Sequence, residues 1–275
     1  MAAVGAVDSL AVLDFSGTLS LGGARFAAPT RLSGELRRSG LADLGIASPE
    51  VFWDTLVNPT WHRGSTTTDG YATVLSAATA EHLRDRDGDV DDAAMRAAVQ
   101  RFADRYFAAS TIEDAWRPWL HRLADLPHTA VVVATDHYAE ATVHIVGELV
   151  RLGVDAIALR ADPPARHRAV LVANSADIGC HKQDPAFWDP VVDAVGAVDR
   201  VAVVDDFGAN EDEADAYAHD ARVRHRRRAT TSLLMDVFDA DVTTCAFVVA
   251  AADDAGAAIG DAASGAVDAL SPRNG

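Results

Sequence analysis

Four short stretches of this chain carry the side chains best suited to chemistry, and three of them end apolar runs that read as buried strands. Leu10–Leu13 ends at a carboxylate, Asp14, with Gly17 close behind to let the backbone turn. Val131-Val-Val-Ala ends at a hydroxyl, Thr135, and Arg200-Val-Ala-Val-Val ends at two carboxylates, Asp205 and Asp206. Between the last two lies Lys182, the single lysine among 275 residues. Polar groups at the carboxyl tips of parallel strands sit where open α/β sheets bind ligands. A nucleophile, a hydrogen-bond donor for phosphoryl oxygens, a fixed positive charge and carboxylates for a magnesium ion are the parts phosphoryl transfer needs. Asp14, Thr135, Lys182 and the Asp205-Asp206 pair match those parts in number and type. Alone, the Asp14 stretch reads equally well as a strand followed by a polar turn, and Lys182 as a solvated side chain on a surface loop.

Taken together and in order, the four resemble the motif set of the haloacid dehalogenase (HAD) superfamily, a group of Asp-nucleophile phosphatases and phosphotransferases. Its first motif, Asp-x-Asp-Gly-Thr, appears as Asp14-Phe15-Ser16-Gly17-Thr18, and its second as the strand ending in Thr135. The third, a lysine near Pro-Asp-Pro, appears as His181-Lys182-Gln183-Asp184-Pro185. The fourth, an acidic pair with a later acid, appears as Asp205-Asp206-Phe-Gly-Ala-Asn210-Glu211. The resemblance implies that Asp14 becomes an aspartyl-phosphate, that Thr135 bonds the phosphoryl group, and that Lys182 neutralises both. It implies Mg2+ held by Asp14, the Ser16 carbonyl, Asp206 with its neighbour Asp205, and Glu211 or Asn210. Glu211 is the better later ligand because it keeps the charge a divalent ion needs. Thr18 and Asp136 are candidate substrate contacts. Trp61, His62 and Arg63 lie in a polar loop that could face the site, where Arg63 could pair with an anionic group.

The chain departs from the family at Ser16, where the second Asp of the first motif protonates the leaving group and activates water. A hydroxyl of ordinary acidity is a poor general acid, and losing such a group costs roughly a hundred- to ten-thousand-fold in rate. A slow phosphatase or phosphotransferase is one outcome; a substitute acid from His62, Asp69 or Glu81 is another. A phosphonate hydrolase would need a second lysine, which the chain lacks. A metal-independent 2-haloacid dehalogenase fits poorly with Asp205, Asp206 and Glu211 beside an anionic substrate. A non-catalytic phosphate-binding or interaction protein remains the alternative from another class.

The elements that must position these groups follow from periodicity. Helical spacing over 31–39, 48–57, 71–86 and 91–109 predicts a mainly helical insertion. Alternating strands (10–13, 129–135, 156–159, 200–206) and helices (113–126, 139–152, 185–197) then predict a parallel sheet covered on both faces. Residues 169–179 read as a hairpin and 221–224 as a strand; 230–252 are ambiguous, and 253–275 read as an Ala-rich helix. The expected fold is therefore α/β, a Rossmann-like parallel sheet with an inserted helical cap. The resemblance assigns 1–20 and 111–275 to the core and 21–110 to the cap.

Composition narrows the partners. A net charge of −17 argues against a nucleic-acid or anionic-membrane partner, and points to a small phosphorylated substrate only through the resemblance. Arg224–Arg228 is the one basic run, expected as a salt-bridged surface or interface. The 41 acidic residues against 24 basic ones, with arginine almost replacing lysine, suit a salt-adapted organism. No leader pattern is seen at the N-terminus, so a cytoplasmic location is expected. Cys180 and Cys245 form no metal spacing and no disulfide framework.

Overall fold

The computed structural model describes residues 7–84, 91–159, 169–210, 220–249 and 254–271. Six strands make one all-parallel sheet: β1 (Ser9–Leu13), β2 (Thr129–Thr135), β3 (Ala156–Ala158), β4 (Val170–Asn174), β5 (Arg200–Asp205) and β6 (Asp241–Ala246), in the order β3-β4-β2-β1-β5-β6. Every pairing is parallel, so the carboxyl ends of β1, β2 and β5 share one edge. The chain runs from β1 to β2 on one side and later to β5 on the other. That makes β1 the switch point where such sheets open a crevice.

Why these strands are buried on both sides is plain from their composition. Leu10–Leu13 and Val131–Ala134 are continuous apolar runs, as a doubly covered sheet requires. Ala11, Leu13, Val131, Val133, Ala202 and Val204 face one core. Helices α7 (Arg117–Ala124), α8 (Glu140–Arg151) and α12 (Ala255–Leu270) cover it. Leu10, Val12, Val132, Ala134, Val201 and Val203 face the other, under α10 (Asp189–Val195) and α11 (Asp220–Phe238). This is the expected α/β arrangement.

Between β1 and β2 run α1 (Leu21–Ala27), α2 (Pro29–Ser39), α3 (Pro49–Val51, continuing as π-helical turns to Val57), α4 (Trp61–Ser65), α5 (Tyr71–Arg84) and α6 (Asp92–Ala109). Their apolar faces form a core of their own around Leu36, Phe52, Leu75 and Phe102. One residue from the sheet side, Tyr138, joins it and stacks on Tyr71 with ring centroids 4.2 Å apart.

Three local expectations are corrected. Residues 169–179 form no hairpin: β4 pairs in parallel with β2 and β3, and Asn174 then caps the short helix α9 (Ser175–Ile178). Residues 221–224 lie in α11, because Ala221, Arg222 and Arg224 are good helix formers and the two arginines are exposed. Trp61, His62 and Arg63, expected in a polar loop, lie on the short helix α4. Residues 85–90, 160–168 and 272–275, which include the end of the helix expected at 71–86 and the end of that expected at 253–275, lie outside the described residues. Among the described residues no helix is long and apolar enough to cross a membrane.

Candidate active site

At the carboxyl end of β1, Asp14 is anchored by its own N–H, which donates to the Val204 carbonyl at 2.9 Å. Its carboxylate is buried, and Lys182 Nζ donates to Oδ1 at 2.5 Å. The same ammonium reaches Asp205 Oδ2 at 3.3 Å. Lys182 is held from both sides: its N–H donates to Asp136 Oδ1 at 2.8 Å, and its carbonyl accepts Trp188 Nε1–H at 2.9 Å. Trp188 is locked in the core, so the lysine's backbone is fixed by packing.

The turn after β5 is built by its own carboxylates. Asp205 Oδ1 accepts the Phe207 N–H at 2.6 Å; Asp206 accepts from Gly208 at 3.1 Å on Oδ1 and from Asn210 at 2.9 Å on Oδ2. Phe207 and Gly208 both take positive φ (52° and 82°), which coils the backbone so that its N–H groups point at the acids. Gly17 has φ 77°, and a Cβ there would lie 2.5 Å from Asp206 Oδ2, so only glycine lets the two turns meet. Thr18 is wholly buried and accepts the Asp206 N–H on Oγ1 at 3.0 Å. It clamps the turn and does not line the cavity. Asn210 spends its side chain on two other segments, donating to the Gly17 and Phe247 carbonyls at 2.7 and 3.1 Å and accepting from Val249 N–H at 2.8 Å.

Asp14, Asp205 and Asp206 each bring one oxygen within 4.8 Å of the others. Three carboxylates against one ammonium leave surplus negative charge, and the acidities record it. Burial pushes the Asp14 carboxyl well above the usual range; Lys182 opposes this, while Asp205 and Asp206 add to it. Asp206 is raised to about 7, by burial and then by Asp205, against its two backbone donors and Lys182. Burial draws Lys182 down, but Asp14, Asp205 and Asp136 more than offset it and hold the ammonium charged. A set of hard oxygen donors with excess negative charge is the environment that suits Mg2+, so the residues present fit such an ion.

These groups open into a cavity of about 490 Å³. Asp14, Ser16, Thr135, Asp136 and Lys182 form its floor; Trp53, Trp61, Tyr71 and Tyr106 of the inserted helices form one wall. His225 and Arg226 of α11 line the opposite side, and Arg226 Nη1 donates to the Phe207 carbonyl at 3.3 Å. The structure thus brings two members of the basic run to the cavity.

Other candidates are not brought in. His62 and Arg63 are exposed on α4 and do not line the cavity; Arg63 pairs with Asp69 at 2.7 Å. Glu81 is exposed on α5 and also absent from the lining. Glu211 lies outside the described residues. Sequence reasoning missed the pairing of His137 with Tyr106, whose Nε2 and Oη are 2.9 Å apart. His137 stands two residues after Thr135, which was the available signal. Its ring is buried, and burial with the nearby His144 lowers its pKa to about 3, so it is neutral at ordinary pH.

No family model matches the chain, and no curated protein matches it. Among solved structures it is similar to the proposed HAD-hydrolase YfnB from Bacillus subtilis, determined bound to magnesium. Identity is 12%, over 88% of this chain and 87% of that one, with a TM-score of 0.43. A likeness of that degree assigns neither family nor activity.

Proposed function

We propose that the protein is a HAD-like, Mg2+-dependent phosphatase or phosphotransferase for a small phosphorylated substrate, with the helices between β1 and β2 as its cap. The observation that carries the reading is the buried contact of Asp14 with the only lysine, beside Asp205 and Asp206, in a cavity that the inserted helices also line. Asp14 Oδ would attack phosphorus while the bond to the leaving oxygen breaks, giving an aspartyl-phosphate that water then cleaves. Asp14, Asp206 and Asp205 would hold Mg2+ with the Ser16 carbonyl, and Glu211 would be the later acid. The bound ion would supply positive charge against the phosphoryl oxygens. Lys182, in contact with Asp14 and Asp205, would neutralise charge on the phosphoryl group, and Thr135 at the tip of β2 would donate to a phosphoryl oxygen. Asn210, with its side chain tied to the Gly17 turn and to the segment after β6, positions the acidic turn.

The test is a screen of phosphomonoesters with Mg2+ in high salt, comparing wild type with Asp14→Asn and trapping the acylphosphate. The variant should lose turnover and trapping together; turnover that survives it overturns the mechanism. Ser16 favours one second reading, a phosphate-binding protein without turnover. Phosphate binding with neither turnover nor acylphosphate would establish that instead.

A further inference from the structure

Ser16 leaves the site short of a proton donor, and the space beside it is shaped in a particular way. Gly23 of α1 lines the cavity where a side chain would otherwise stand. A Cβ at that position would lie 3.1 Å from Ser110 Oγ, 3.3 Å from Tyr106 Oη and 3.6 Å from Ser16 Oγ. The missing side chain therefore leaves a small gap bounded by three hydroxyls. Ser110 Oγ donates its proton to the Tyr106 carbonyl at 2.9 Å.

The direction of the Tyr106 hydroxyl follows from its partner. His137 Nδ1 accepts the Tyr138 N–H at 2.8 Å, so that nitrogen carries no proton. The ring is neutral, so Nε2 bears the hydrogen and donates it to Tyr106 Oη. Tyr106 Oη is thus the acceptor in this pair, and its own proton points away from His137. The Tyr138 N–H fixes this direction: with Nδ1 an acceptor, the ring's hydrogen can stand only on Nε2.

We propose that Tyr106 supplies the proton that the residue at Ser16 cannot, donating it to the leaving-group oxygen across the gap kept by Gly23. The proposal rests on the phosphoryl-transfer reading above. As Asp14 Oδ bonds to phosphorus, the P–O bond to the alcohol breaks and its electron pair stays on the alcohol oxygen. The Tyr106 Oη proton moves to that oxygen, leaving a tyrosinate that the His137 Nε2–H stabilises. Water next attacks phosphorus of the aspartyl-phosphate, its proton returns to Tyr106, and the Asp14 O–P bond breaks to release inorganic phosphate. Tyr106 is then a catalytic residue and His137 a positioning residue.

The experiment uses leaving groups of different basicity. Tyr106→Phe keeps the ring and its packing against Phe26 and Tyr71. With Mg2+, it should lose about a hundredfold or more in kcat/KM on an alkyl phosphate such as glycerol phosphate, within the range for a lost general acid. On p-nitrophenyl phosphate, whose leaving group needs no proton, the loss should stay under about fivefold. His137→Phe should show the same split, which a merely structural role would not produce. Ser16→Asp placed on Tyr106→Phe should restore alkyl phosphate turnover. Equal losses on both substrates, or no loss on the alkyl ester, overturn the role of Tyr106 while leaving Asp14 chemistry standing. A wild type that neither turns over either ester nor forms an acylphosphate overturns both readings.

Discussion

Replacing Asp206 by Asn isolates the electrostatic cost of the acidic cluster. In the folded protein the carboxyl is raised from 3.8 to about 7, by burial first and by Asp205 next. A raised carboxylate makes the folded state bind a proton more tightly than the unfolded chain does. Between pH 3.8 and about 7, unfolding therefore releases a proton, and wild type loses stability as pH rises. The slope is about 1.36 kcal/mol per pH unit over roughly three units, or about 4 kcal/mol in all. Asn carries no charge and lacks this slope. It also leaves one of the donors Gly208 N–H and Asn210 N–H facing an amide NH2, a cost of about 1–3 kcal/mol that does not vary with pH.

The assay is denaturant unfolding of both proteins from pH 4 to 8 without divalent ions. Titration of the acidic surface is common to both and cancels in the difference. The stability of Asp206→Asn relative to wild type should climb by about 4 kcal/mol from pH 4 to pH 7 and then level off. Added Mg2+ should stabilise wild type at pH 8, by about 2.7 kcal/mol at a hundred times its Kd, and should not stabilise the variant comparably. A stability difference that stays flat from pH 4 to 8 refutes the argument that Asp206 is held in a repulsive, water-poor cluster.

Gly17→Ala should cost about 2–3 kcal/mol in denaturant unfolding, from the left-handed φ of 77° and the displaced hydrogen bond between Asp206 Oδ2 and Asn210. It should also abolish the Mg2+-dependent rise in thermal stability. Arg63→Ala should change kcat/KM by less than about twofold and stability by under about 0.5 kcal/mol, since its ion pair with Asp69 is exposed; a tenfold rise in KM would return Arg63 to the substrate.

The central strands were legible because burial on both faces forces continuous apolar runs, so β2 was read with its observed bounds, Thr129–Thr135. The edges were not. β6 reads Asp-Val-Thr-Thr-Cys-Ala and is half exposed, so it carries neither an apolar run nor a clean alternation. β4 runs straight into a four-residue helix, and two short segments in succession look like a hairpin. In the site, Asp14, Asp205 and Asp206 were legible because strand tips show in sequence, and Lys182 because it is the single lysine. The ties of Asn210 to Gly17 and Phe247 span 193 and 37 residues, and no local pattern encodes them. The same holds for Tyr106 and His137, which a helix of the insertion and the tip of β2 bring together.

The insertion and the acidic cluster also act on each other. Tyr71 N–H donates to Glu140 Oε2 at 2.7 Å, Ser65 Oγ lies 2.7 Å from His181 Nε2, and Tyr106 meets His137 at 2.9 Å. Each contact joins the inserted helices to a segment adjoining the floor: Glu140 and His137 follow β2, and His181 precedes Lys182. Closing those helices over the floor keeps water away, and burial is the largest cause raising both Asp14 and Asp206. The contacts thus favour closure while the surplus negative charge opposes it. A cation that neutralises the three carboxylates removes the opposing term and leaves the contacts unopposed. If these carboxylates hold a divalent ion, its binding and the packing of the insertion over them would be coupled through the same groups, and the neutral His137 would keep its own hydrogen bond to the insertion out of that balance.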